Sequence, residues 1–110
     1  MTATSGGPHP ATVTIAVADA QARVTIRDDL DAAASPGVVA AVVAALGDHR
    51  LSHVVIDMSD AGFVDSTGLG SLIRLRAEAR ERGAGTTLVG LDHRLEKLLR
   101  LTGLDREFEG

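Results

Sequence analysis

The residues with the most chemical potential lie together in Asp65-Ser66-Thr67-Gly68-Leu69-Gly70. They follow a β-branched run at residues 53–58 and open a helical pattern over residues 66–82. Ligand sites of open α/β sheets gather beyond the carboxyl ends of the strands, where such a strand-to-helix loop lies. The Ser66 hydroxyl would stand at a helix N-terminus beside free backbone N–H groups, a setting that favours an anion. Gly68 and Gly70 each cost a helix roughly 1 kcal/mol relative to alanine, and close approach by another molecule is one compensation. A purely structural reading stays open beside this one. Serine is a preferred N-cap, aspartate favours a helix start, and glycine permits tight packing.

Other candidate chemistries are weaker. Asp57, Asp60 and Asp65 could suggest a metal site, but Asp57 falls in a strand and the other two in the turn expected after it. They read as solvated, and no metal or cofactor is expected. His49 and His53 are four apart, yet a turn separates them from any single helix face and no H-E-x-x-H motif supports them. Both read as surface histidines, as does His93. There is no G-x-S-x-G elbow, no histidine placed to serve Ser66 as a base, and no phosphate-binding G-K-[ST] loop. The chain is therefore not expected to be an enzyme.

The elements that must position the loop follow from periodicity. Residues 12–17 and 23–27 alternate as strands, and the short link containing Asp19 makes them an antiparallel hairpin. Residues 53–58 form a near-continuous apolar run, the mark of a strand covered on both faces, which ends near Met58 before a polar turn. Residues 86–89 are a shorter strand. Pro36 opens a first helix that ends at Gly47; a second runs from Ser66 to Arg82 and ends at Gly83; Asp92 caps a third that stops at Gly103. Leu72, Leu75 and Ala79 suit the sheet-facing stripe of the second helix, with Leu69 and Ile73 bordering solvent as candidate partner contacts. Residues 74–82 read as a solvated face with Glu/Arg pairs. The order β-β-α-β-α-β-α implies one α/β domain with a mostly parallel central sheet, an N-terminal antiparallel hairpin and flanking helices. Residues 1–11 read as a flexible leader and residues 12–110 as the domain.

Composition narrows the function classes. The 110 residues carry a net charge of −4 and only two aromatic rings, Phe63 and Phe108. Such a chain lacks both the basic footprint and the stacking surfaces that nucleic-acid binding requires. Cysteine is absent, which removes disulfides and thiolate chemistry. The longest apolar run, residues 38–46, is too short to cross a bilayer, and no signal-peptide pattern opens the chain. A cytoplasmic location without direct membrane contact is the expectation.

The stretch from Val54 to Gly70 resembles the signature of STAS domains, and specifically of bacterial anti-sigma factor antagonists, in which D-S-[ST]-G-[LI]-G is typical. Upstream, Asp28-Asp29-Leu30-Asp31-Ala32-Ala33 is similar to the family's G-E-L-D segment, with Asp28 and Asp29 in place of its Gly and Glu. Downstream, Leu101-Thr102-Gly103-Leu104 is similar to the L-x-x-x-G-L that follows the family's third helix. The resemblance covers residues 12–108.

The resemblance implies a binding protein that sequesters an anti-sigma factor, controls release of a sigma factor, and is switched off when that partner phosphorylates Ser66. The partner would be a serine kinase of the ATPase fold, with a phosphatase restoring Ser66. Asp31, Asp65, Ser66, Thr67, Gly68, Leu69, Gly70 and Ile73 would form the partner-binding surface. The resemblance also allows another role, that of a STAS accessory subunit of an ABC-type lipid transporter.

Overall fold

The structure is a computed structural model that describes residues 13–108. The leader expected at residues 1–11, and the strand start at Thr12, lie outside the described residues. The chain folds as β1 (Val13–Ala18), β2 (Gln21–Leu30), α1 (Ser35–Asp48), β3 (His53–Val64), α2 (Ser66–Glu81), β4 (Gly85–Val89), α3 (His93–Thr102) and a short 3₁₀ turn at Leu104–Phe108. The sheet order is β1-β2-β3-β4, antiparallel between β1 and β2 and parallel thereafter. The expected α/β class and element order are both present.

The β1–β2 hairpin closes through Asp19 and Ala20, whose φ angles of 53° and 64° are both left-handed. Two positive φ angles match the strand twist in a two-residue turn. Ala20 holds this disfavoured conformation while its carbonyl accepts the Ser52 N–H at 2.7 Å, which ties the turn to the start of β3. β2 then alternates strictly. Ala22, Val24 and Ile26 enter the core, and Gln21, Arg23 and Arg27 face solvent.

All three helices pack on one side of the sheet. Val38, Val42, Leu46, Leu72, Leu75, Ala79, Leu95 and Leu99 join a single cluster with Val24, Val54, Ile56 and Met58. Among the described residues no helix covers the other side, yet residues 54–56 are buried on both faces of β3, as their apolar run suggested. Val55 points to that open side and is still only 9% exposed, because Arg23 and Thr87 stand beside it in register. Neighbouring strand side chains, rather than a second helical layer, shield the apolar run.

β3 also departs from expectation at its end. It does not stop near Met58 but continues through Ser59 and Asp60 to Val64, because β2 extends alongside it. Arg27 pairs with Asp60, Asp28 with Ala61 and Leu30 with Val64, across register shifts on either side. The polar residues that suggested a turn line a bulged two-stranded arm whose Ser59, Asp60, Gly62 and Phe63 are exposed, so a strand here needs no apolar alternation.

The helices are delimited largely as anticipated. Gly47, however, lies inside α1, which runs to Asp48 and is ended by His49 in an extended conformation. Gly83 and Gly103 follow α2 and α3 with φ of 80° and 75°. The 3₁₀ turn had no signal in the periodicity. It buries Phe108 in the core, while Arg76 and Glu107 form a 3.0 Å ion pair. Among the described residues no helix is long and apolar enough to cross a membrane.

Candidate phosphoacceptor site

The loop between β3 and α2 is held by one carboxylate. Asp65 is the N-cap of α2: its Oδ1 accepts the Gly68 N–H at 2.7 Å, and its Oδ2 accepts the Ala32 N–H at 3.3 Å. Its own N–H donates to the Leu30 carbonyl at 3.4 Å. A single side chain therefore satisfies an orphan donor of the helix start and fastens the β2–α1 loop to it. The same reach puts Gly68 directly under the end of β2. A Cβ on Gly68 would lie 2.0 Å from the Leu30 carbonyl oxygen, so this glycine is demanded by the chain's own backbone. Gly70 differs, with nothing within 4 Å of its Cβ position.

With Asp65 as the cap, Ser66 is the first residue of the helix and is exposed. Its hydroxyl has no hydrogen-bond partner among the described residues. The structural alternative that made Ser66 the N-cap is thereby corrected: the capping oxygen belongs to its neighbour. Thr67 is exposed beside it, and its carbonyl accepts the Ser71 hydroxyl at 3.1 Å. Leu69 is half-buried against the core, whereas Ile73 is 37% exposed.

Asp31 comes to the same end of the sheet, and among the described residues its hydrogen bonds go to the start of α1. Its Oδ1 accepts the Ala34 N–H at 2.9 Å, and its carbonyl accepts the Ser35 N–H at 2.9 Å, which together start α1. The link between Asp31 and the loop is indirect, through the Ala32 N–H held by Asp65.

Two groups were given no structural role by the sequence reading. Asp28 adopts φ 62°, the left-handed region that favours glycine, and Asp29 Oδ1 accepts the Phe63 N–H at 2.8 Å. A Cβ on Gly62 would sit 2.3 Å from that same oxygen. Asp28 thus occupies a backbone position where the family's glycine is the natural choice, and Asp29 clamps the far end of β3. The D-D pair in place of Gly-Glu was the available signal. The second group is Phe63, 51% exposed with the Arg94 guanidinium 5.7 Å from its ring centre.

The three aspartates considered for a metal are kept apart by their partners. Asp57 lies on the open sheet face, 2.7 Å from Arg23, and accepts the Ser59 N–H at 2.9 Å. Hydrogen bonds from the Ser59 hydroxyl and N–H, with the Arg23 guanidinium, lower its carboxyl from the ordinary 3.8 to about 2. Asp60 is an exposed strand residue and Asp65 is the cap. Among the described residues no group of His, Asp or Glu is arranged to hold a metal ion. His53 is not the surface histidine expected: it is half-buried, with Nε2 2.7 Å from the Thr87 hydroxyl across the β3–β4 pair.

A strand-to-helix loop capped by aspartate, with an unengaged serine at the first helical position, now stands in a sheet built from an antiparallel hairpin and parallel strands. The STAS domain family model matches residues 13–110. The chain belongs to the STAS domain family. Solved structures similar to it include anti-sigma factor antagonists and, over 14% of that chain's length, a murine anion transporter of the solute carrier 26 family. The chain is 28% identical to an anti-sigma factor antagonist from Mycobacterium paratuberculosis, with a TM-score of 0.69 over 88% of this chain and 81% of that one. A candidate anti-sigma factor antagonist from Thermotoga maritima is 20% identical, with a TM-score of 0.75 over 86% of this chain and 80% of that one. The Bacillus cell fate determinant SpoIIAA in its phosphorylated form is 18% identical, with a TM-score of 0.70 over 86% of each chain. At these last two identities the likeness is one of fold.

Proposed function

We propose that this STAS domain is an anti-sigma factor antagonist whose binding to its partner is switched off by phosphorylation of Ser66. The observation that carries the reading is the division of labour at the start of α2. Asp65 does the capping, which leaves the Ser66 hydroxyl exposed and unengaged. A serine spent on capping would lose a hydrogen bond on modification; this one has none to lose within the described residues.

The electrostatics support a switch without refolding. A phosphoryl group adds about −1.5 to −2 charges. At the first turn of a helix an anion is favourable by roughly 0.3–1 kcal/mol, so the host domain tolerates it. A partner pressed against the loop meets added bulk and charge where the surface was small and neutral. The partner is an anti-sigma factor that acts as a serine kinase of the ATPase fold, a phosphatase reverses its work, and the unmodified domain frees the sigma factor. Thr67, Leu69, Gly70 and Ile73 are the neighbouring contacts. Asp31 and Asp65 act by holding the loop, and Gly68 acts from beneath it.

Incubation with Mg·ATP and the cognate kinase is expected to add one phosphate, and Ser66→Ala to abolish it. Ser66→Asp is expected to keep the fold and weaken partner binding at least about tenfold. Phosphate on Thr67, equal affinity for Ser66→Asp and Ser66→Ala, or copurification with a transporter's nucleotide-binding subunit in place of an anti-sigma factor would each overturn the reading.

A further inference from the structure

We propose that the exposed side of α1, with the adjoining edge of α2, is a self-association surface on which a second copy of this chain packs its own α1 antiparallel. α1 carries no charged side chain before its final residue, Asp48. Its buried side sends Val38, Val42 and Leu46 into the core, and its outer side exposes Pro36, Gly37, Ala40, Ala44 and Gly47. A surface helix ordinarily places charged residues on that outer side.

The glycines make the same point. Gly37, Gly47 and Gly70 have nothing within 4 Å of the position a Cβ would take, so packing within the chain calls for none of them. Each nevertheless weakens its helix relative to alanine. Gly37, Ala40, Ala44 and Gly47 fall on one stripe at helical spacing. Gly70 faces that stripe across a groove of about 720 Å³ between α1 and α2, lined also by Val39 and Val43 and, on the α2 side, by Arg74. Ser35 lines the upper end of this groove. It is 3% exposed, and its Oγ has no hydrogen-bond partner among the described residues, so a buried hydroxyl lacks a partner at the groove.

Charge selects the occupant. The chain carries a net charge of −4, so copies repel, but two α1 faces meet without opposing like charges. The first turn of α1 has no acidic residue and its last turn no basic one. Asp48 therefore sits at the unfavourable end of its own helix dipole. In an antiparallel pair each Asp48 reaches the N-terminus of the other α1, where the dipole attracts it and a Ser35 hydroxyl turned outward can donate to it. With Asp48 opposite Pro36, Ala40 falls opposite Ala44. A two-fold axis then passes through the middle of the pair, as an isologous dimer requires.

The test is sedimentation of the intact chain over a concentration series, which is expected to show a monomer–dimer equilibrium. Ala44→Glu keeps a good helix former at an exposed site and is expected to weaken the dimer at least about tenfold with an unchanged circular dichroism spectrum. Gly70→Ala is the second variant, expected to raise the melting temperature of the dilute monomer and still weaken the dimer. The chain has no cysteine, so Ala40→Cys and Ala44→Cys chains can be mixed and oxidised. Mixed 40–44 disulfides are expected to exceed either self-linked product. A monomer at every concentration, a dimer indifferent to both Ala44→Glu and Gly70→Ala, or a predominance of self-linked products would overturn the proposal. The surface shares Thr67 and Gly70 with the proposed partner contacts but does not use the Ser66 hydroxyl, so Ser66→Ala is expected to associate as the parent does.

Discussion

The starts of α2 and α3 use one device to different ends. Asp65 accepts the Gly68 N–H at 2.7 Å and Asp92 accepts the Leu95 N–H at 2.8 Å, so both helices open on an aspartate bonded to the third helical N–H. At α3 the device is local. The residue three after the cap is Leu95, a core side chain, and the first-turn residues His93 and Arg94 are exposed. At α2 the corresponding residue is Gly68, which places backbone against the Leu30 carbonyl, and the second oxygen of Asp65 crosses to Ala32. A cap that needs only its own helix tolerates variation around it. A cap stitched to a neighbouring strand fixes the height and direction of the residue it precedes, and here that residue is Ser66.

The contrast is most sharply broken at the glycine. Gly68→Ala drives a methyl into the Leu30 carbonyl and is expected to cost about 3 kcal/mol, read as a lowered denaturant midpoint. Gly70→Ala, two residues on in open space, is expected to stabilise the fold by up to about 1 kcal/mol. Equal effects at the two sites would show that the clamp between β2 and α2 is slack.

The caps come next. Asp92→Ala removes one capping bond and is expected to cost about 1 kcal/mol, whereas Asp65→Ala also frees Ala32 and is expected to cost about 2 kcal/mol. Amide exchange should spread differently, confined to the first turn of α3 in one case and reaching the β2–α1 loop in the other. Asp31→Ala, which frees the Ala34 N–H, is expected to fall near the smaller value. The structure thus assigns a stability cost to a residue that the resemblance marks as functional.

A smaller effect separates the loop from the open sheet face. The Asp57 carboxyl is held below its unfolded value, so its contribution is present above about pH 3.8 and is lost as pH falls toward about 2. Asp57→Asn is expected to be less stable than the parent near neutrality, with the difference shrinking through that window in denaturant titrations at successive pH values. A constant difference would mean that the pair with Arg23 contributes through shape alone. Smallest of all, Ser66→Ala is expected to change stability by less than about 0.5 kcal/mol, because no bond of its hydroxyl is lost. A larger loss would return Ser66 to a structural role.

Much of this was legible in the sequence because it rests on short-range rules. Alternation at residues 23–27 sets β2, proline at 36 opens α1, and Asp92 before an apolar helical pattern announces the cap of α3. The loop itself was found by residue type and spacing, with Asp65 leading a helix and two glycines in its first turns. The reading failed where a partner strand or a turn without periodicity decided the outcome. The polar residues after Met58 look like a turn, and they form a strand because β2 extends to meet them.

By itself the sequence determined the element order, the sheet-facing side of α2, the aspartate that caps α3 and the placing of an aspartate and a serine together at the start of α2, since each depends on contacts within a few residues. Only the tertiary structure decided which residue caps and which stands free, why Gly68 is required while Gly70 is not, and that Asp31 braces the start of α1. Those outcomes depend on where the end of β2 lies relative to α2. That position is set by a bulged parallel pairing between residues more than thirty apart, which no local pattern encodes.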